Sequence, residues 1–127
     1  NITQVKDILR EFPKFKIFIG NESQISEAVQ LGAAGAISGV ANAYPELISS
    51  LYDFGKDPLK SNKNQVIQRI IEIIQRYPIF PAIKCLVENQ KGAAWHYLRP
   101  PLVPLTWEQK QQINLEITEK IMLSFLL

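Results

Sequence analysis

The chain has 127 residues, fourteen Lys and Arg against twelve Asp and Glu for a net charge of +2, and 46% hydrophobic residues. That allows one modest core of ordinary globular composition. The basic residues are too scattered for a nucleic-acid stripe, and no apolar run suggests a membrane span or signal peptide. Cys85 is the single cysteine, which excludes an internal disulfide and suits a reducing compartment, so cytoplasmic residence is expected.

Residues 1–12 place Ile2, Val5, Ile8, Leu9 and Phe12 at helical spacing, with Asn1 as the cap and Pro13 as the stop. Phe15–Ile19 is β-branched and aromatic, apolar at nearly every position after Lys16, and predicts a strand covered on both faces that ends at Gly20. Ser23–Leu31 predicts a helix with Ile25, Ala28, Val29 and Leu31 inward, closed by Gly32. Ala34–Ser38 predicts a second strand, whose Ala34, Gly35 and Ala36 allow neighbouring elements to approach closely. Pro45 then opens a helix over 46–54.

Beyond Gly55 the pattern is helical only. Asn64–Tyr77 carries Val66, Ile67, Ile70, Ile71, Ile73, Ile74 and Tyr77 on one face. Pro78 and Pro81 separate it from a helix over about 82–89, and the prolines of Arg99–Pro104 predict an extended segment. Thr106 and Gln109 fit a capping box opening a last helix with Ile113, Ile117, Ile121 and Phe125 on one face.

Alternating helix and strand over 1–55 is the pattern of βα crossovers in an α/β protein, and the ends of such strands are where binding sites form. Two parallel strands alone make no stable sheet, and the chain does not begin with Met. It is therefore expected to be part of a larger barrel, divided into βα units over 1–55 and a helical subdomain over 56–127.

The ordered motifs Gly20-Asn21-Glu22, Leu31–Ser38, Ala41-Asn42 with Pro45, Ile83-Lys84 and Arg99–Pro104 resemble the dihydrodipicolinate synthase and N-acetylneuraminate lyase family of Schiff-base-forming pyruvate aldolases. The resemblance covers essentially the whole chain. It implies the last two strands of a (β/α)8 TIM barrel with their helices, then a three-helix C-terminal extension. It also implies that the Schiff-base lysine stands just before Asn1 and the proton-relaying tyrosine one strand earlier, so no catalytic residue is assigned here and the chain alone is expected to be inactive.

The substrate-binding candidates implied by the family are Ile37, Gly20, Glu22, Ser38 and Gly39. Ile37 matches a buried barrel position whose carbonyl lies beside the lysine and bound pyruvate. Gly20 matches a glycine approached by substrate. Glu22 falls where some lyase relatives contact sugar-acid hydroxyls, and Ser38 and Gly39 flank the same pocket. The substrate implied is pyruvate or another 2-oxo acid, with no cofactor because the lysine is the electron sink. Further partners are the N-terminal half of the barrel and further copies in a dimer or tetramer.

Other residues read as structural. Lys84 has an apolar setting but sits on a late helix, its head at the surface or in an ion pair. Cys85 reads as a small buried hydrophobe, and Trp95-His96-Tyr97 as packing between helices. His96 has no companions at metal-ligand spacing. The alternative reading is a non-catalytic helical interaction or oligomerisation module derived from the same family.

Overall fold

The computed structural model describes residues 1–60, 64–92 and 95–126, without the side chains of 60 and 123–126. Helix α1 runs Ile2–Glu11, with the Asn1 side chain accepting from the Thr3 amide at 3.0 Å as the cap. Strand β1 (Phe18–Ile19) pairs parallel with β2 (Gly35–Ala36), in the register Phe18 to Gly35 and Ile19 to Ala36. Two further amides, Ala34 to the Ile17 carbonyl at 2.8 Å and Ile37 to the Ile19 carbonyl at 2.9 Å, extend the ladder by one rung each way. The strands are thus shorter than the stretches 15–19 and 34–38 read from sequence. Among the described residues each has a single neighbouring strand, so nothing holds the flanking positions extended.

A 3₁₀ turn (Glu22–Gln24) precedes α2 (Ile25–Gln30), where sequence pattern predicts one helix over 23–31. The inward face is as expected at Ile25, Ala28 and Val29, whereas Leu31 is half-buried. Gly32 ends the helix at φ 107°, a left-handed conformation that side chains disfavour. After β2 another 3₁₀ turn (Val40–Asn42) leads into α3 (Pro45–Lys56). Gly55 lies inside α3, not beyond it. A Cβ there would stand 2.7 Å from the Ser26 carbonyl oxygen and from Val29 Cβ, so the glycine is what lets α3 lie against α2.

Helices α4 (Asn64–Gln75), α5 (Ile79–Lys91) and α6 (Trp107–Leu126) complete the chain. The isoleucine stripe of α4 is core: Ile67, Ile70, Ile71, Ile73 and Ile74 are all buried. Helix α5 starts three residues earlier than its prolines suggest, because Pro81 falls in the first turn, where a missing N–H breaks no helical bond. The segment before α6 is not simply extended; the Leu102 amide donates to the Arg99 carbonyl at 3.1 Å, closing a turn. The capping box forms as read: the Thr106 amide donates to Gln109 Oε1 at 2.9 Å, and the Gln109 amide to Thr106 Oγ1 at 3.3 Å. Ile113 and Ile117 are buried and Ile121 half-buried, while Phe125 lies outside the described side chains.

Burial departs from expectation at the sheet. Phe15, Phe18 and Ile37 are 60%, 55% and 75% exposed, although strand pattern predicts covered positions. Within 15–19 only Ile19 is buried and Ile17 half-buried, whereas in the second strand Gly35 is buried and Ala36 half-buried. The reason is geometric: a strand residue is covered on its second face only when other elements stand there, and no described element does. Phe12 and Phe15 stack on each other instead, with ring centroids 5.0 Å apart.

Candidate functional site

Both strands run in the same direction, so their C-terminal ends lie side by side and the loops after Ile19 and Ala36 share one edge. Glu22 opens the turn after β1 and is only 8% exposed. Its Oε1 accepts the Ser38 hydroxyl at 2.9 Å, the Gly39 amide at 3.1 Å and the Val40 amide at 3.4 Å. The Gly39 and Val40 amides are free to be captured because they open the Val40–Asn42 turn and have no carbonyl partner behind them. Ser38 Oγ also accepts from the Ala41 amide at 3.3 Å, and Asn42 Nδ2 donates to the Gly39 carbonyl at 2.9 Å. One carboxylate oxygen thereby locks the loop after β2 to the loop after β1. The other, Oε2, takes no hydrogen bond among the described residues and remains an acceptor at the strand ends.

Of the five candidates, three come together: Glu22, Ser38 and Gly39. Gly20 and Ile37 stand at the same edge outside that cluster. A Cβ on Gly20 would meet nothing within 4 Å, and Ile37 turns its side chain to solvent where a buried barrel residue is expected. Sequence reading missed the Val40 amide; the signal was present in the turn residues after Ser38, but donation by a main-chain group leaves no side-chain pattern. It missed as well that Gly39 is the seat of α5, since a Cβ there would stand 2.8 Å from Ile83 Cδ1.

The residues read as structural behave so in part, Lys84 making no ion pair among the described residues. Lys84 is half-buried, its ammonium 5.4 Å from the centre of the Trp95 ring. Cys85 is buried, and burial, its largest influence, pushes the thiol above its ordinary range. Tyr44, behind the loop that follows β2, has its phenol raised chiefly by burial, opposed by a hydrogen bond with Gln90. His96 Nδ1 pairs with Glu88 Oε1 at 3.1 Å, and Lys110 Nζ with Glu88 Oε2 at 3.1 Å. The Lys110 bond is the main reason that the Glu88 carboxyl lies below its usual range. Trp95 and Tyr97 are 41% and 71% exposed, so the expected packing between helices is loose there. Among the described residues no three His, Cys, Asp or Glu side chains gather to hold a metal. No helix among them is long and apolar enough to cross a membrane.

Parallel βα units with a polar cluster at the strand ends define a class, the α/β proteins that bind at the carboxyl edge of a sheet. Comparison with known proteins narrows it. The Dihydrodipicolinate synthetase family profile matches residues 1–120, and the chain belongs to that family. A 4-hydroxy-tetrahydrodipicolinate synthase of Caldicellulosiruptor saccharolyticus is 26% identical over 98% of this chain and 41% of its own length. An uncharacterized DapA-like lyase of Chloroflexus aurantiacus is 27% identical over 82% of this chain and 35% of its own.

Among solved structures, dihydrodipicolinate synthase from Agrobacterium tumefaciens superposes with a TM-score of 0.80 at 31% identity, covering 94% of this chain and 40% of that one. A Sulfolobus 2-keto-3-deoxygluconate aldolase in complex with D-KDPG superposes with a TM-score of 0.78 over 99% of this chain and 44% of that one, at 22% identity a likeness of fold alone. These neighbours are barrels of the dihydrodipicolinate synthase type, and this chain spans about two fifths of their length.

Proposed function

We propose that this chain supplies the last two βα units (1–55) and the C-terminal helical part (56–127) of a Schiff-base-forming pyruvate aldolase, forming or cleaving a carbon–carbon bond at C3 of a bound 2-oxo acid. In such chemistry a lysine amine condenses with the substrate ketone, losing water, and the resulting iminium accepts the electron pair as the C3 bond breaks. A tyrosine moves the proton at that carbon. In this reading both residues come from sequence that precedes Asn1, and no cofactor is needed because the iminium is the electron sink.

The role left to this chain is to wall the substrate pocket. Glu22 is assigned to the hydroxyl-bearing part of the substrate through Oε2, with Ser38 and Gly39 holding its other oxygen in place. The Ile37 main chain and Gly20 are assigned to the edge nearest the reacting carbon. The observation that carries the reading is the Glu22 bridge itself: a nearly buried carboxylate, fixed by three donors, at the carboxyl ends of two parallel strands. The exposed Phe18 and Ile37 support the same view, since apolar strand faces of this kind need the remainder of a barrel to cover them. A dimer or tetramer of the completed barrel belongs to the proposal.

The test joins this chain to the N-terminal three fifths of the Agrobacterium tumefaciens synthase and treats the fusion with pyruvate and borohydride. The expected result is a reduced pyruvyl adduct on a lysine of the N-terminal part, and none on this chain alone. Trapping on a lysine of the isolated chain would overturn the assignment.

A further inference from the structure

Behind the loop that carries Gly39 lies a cavity of about 210 Å³, lined by Gly39, Asn42, Phe80, Ile83, Val87 and Trp95 together with Lys84. Lys84 and Phe80 also border a second, more open hollow of about 450 Å³ with Tyr97, Leu98, Arg99 and Leu102. The first space exceeds the ~150 Å³ that holds a benzene ring in an apolar protein interior. Its walls are chiefly two aromatic rings and two branched aliphatic chains, with Asn42 the one neutral polar side chain. Lys84 is its one charged group, half-buried, and among the described residues no carboxylate pairs with it. Lys91 stands over the same Trp95 ring at 6.0 Å and Arg99 lines the neighbouring hollow, while Glu88, one turn along α5, is already engaged by His96 and Lys110.

A half-buried ammonium with no carboxylate in direct contact attracts an anion more strongly than a fully hydrated one, because water screens it less. An apolar chamber beside it selects what the anion is attached to. We propose that Lys84, Phe80 and Trp95 form a binding site for a small monocarboxylate with an aromatic or branched apolar tail, separate from the Glu22 site and divided from it by Gly39. The carboxylate meets the Lys84 ammonium, and the tail fills the space between Phe80, Ile83, Val87 and Trp95. The site uses only residues of this chain and does not depend on the aldolase reading.

The test is titration of the purified protein with phenylacetate, followed by Trp95 emission in a Trp107→Phe background; Trp107 is 71% exposed and lines neither hollow. Expected is a saturable change at millimolar ligand, at least tenfold weaker affinity for phenylacetamide, and at least tenfold weaker phenylacetate binding in Lys84→Met. Lys91→Met, which removes a cation outside the cavity wall, is expected to stay within threefold. Absence of saturation, equal binding of the amide, or displacement by inorganic phosphate as effective as by phenylacetate would each overturn the proposal. The acid-to-amide comparison needs no substitution, so it decides the matter even if Lys84→Met fails to fold.

Discussion

Glu22 Oε1 and Ser38 Oγ meet at 2.9 Å across sixteen residues of sequence, and that contact joins the ends of the two strands. The same oxygen holds the Gly39 and Val40 amides, so its loss strands three donors in a half-buried place. A donor left unsatisfied there costs about 1–3 kcal/mol, more than the bond itself contributes. Glu22→Ala is therefore expected to lose about 2 kcal/mol or more. Ser38→Ala, which leaves the two amide bonds to Glu22 in place but removes the acceptor of the Ala41 amide, is expected to lose about 1–2 kcal/mol. Urea unfolding of the two single variants and the double variant measures it. A double variant equal to the sum of the singles would show that the two side chains are not coupled.

Gly55 tests the packing of α2 on α3. A methyl there meets the Ser26 carbonyl and Val29 Cβ at 2.7 Å, and a main-chain carbonyl cannot step aside as a flexible side chain can. Alanine gains at most about 1 kcal/mol of helix propensity, less near a helix end. Overpacking costs about 1–3 kcal/mol, so the steric effect wins and Gly55→Ala is expected to be less stable than wild type. Gly20→Ala is the control: its Cβ enters open space, and the midpoint of thermal unfolding is expected to stay unchanged or rise slightly. A stabilised Gly55→Ala would refute this account of the helix contact.

How far sequence led depends on whether a residue's surroundings are local. The α4 stripe from Ile67 to Ile74 was legible because helical spacing puts those side chains on one face whatever else is present. The Thr106–Gln109 box was legible because both partners lie within one turn. Phe18 and Ile37 misled because burial of a strand residue depends on elements far away in sequence. Glu22, Ser38 and Gly39 were each marked by resemblance alone. What joins them, one carboxylate oxygen capturing two main-chain amides and a hydroxyl, has no signature in residue types. Pro81 misled in another way: a proline breaks a helix interior but is at home in a first turn, and only the position of Ile79 decides which applies.

The Glu88 junction makes stability depend on pH. Lys110 first, then His96, hold the Glu88 carboxyl below its ordinary value of 4.5. A carboxyl depressed on folding contributes stability in full above that ordinary value and loses it as pH falls through the lower folded one. The groups are partly open to solvent, so the contribution is about 0.5–1 kcal/mol. Glu88→Gln is expected to be less stable than wild type at pH 7 by about that amount. The difference should shrink towards pH 3, as the wild-type carboxyl begins to take up its own proton. Denaturant midpoints at the two pH values measure it, and an undiminished difference at low pH would show that the side chain acts through packing instead of charge.

Cys85 tests whether the core around α5 and α6 is closed. Burial raises the thiol above its ordinary 9.0; Lys110 and a contact from Asn114 oppose this and Glu88 adds to it. At pH 8 the thiolate, the form that reacts, is thus scarcer than in an unfolded chain, and at 4% exposure the sulfur is also hard to reach. The two effects multiply. Reaction with a disulfide reagent is therefore expected to be at least about a hundredfold slower in the native protein than in denaturant, since reagent must wait for the helices to open. Raising pH from 7 to 8.5 should speed the reaction without a plateau. Prompt native labelling, or a plateau below pH 8, would mean a low-pKa accessible thiol. Cys85 would then have to be reconsidered as a reactive group instead of a small apolar filler between α5 and Asn114.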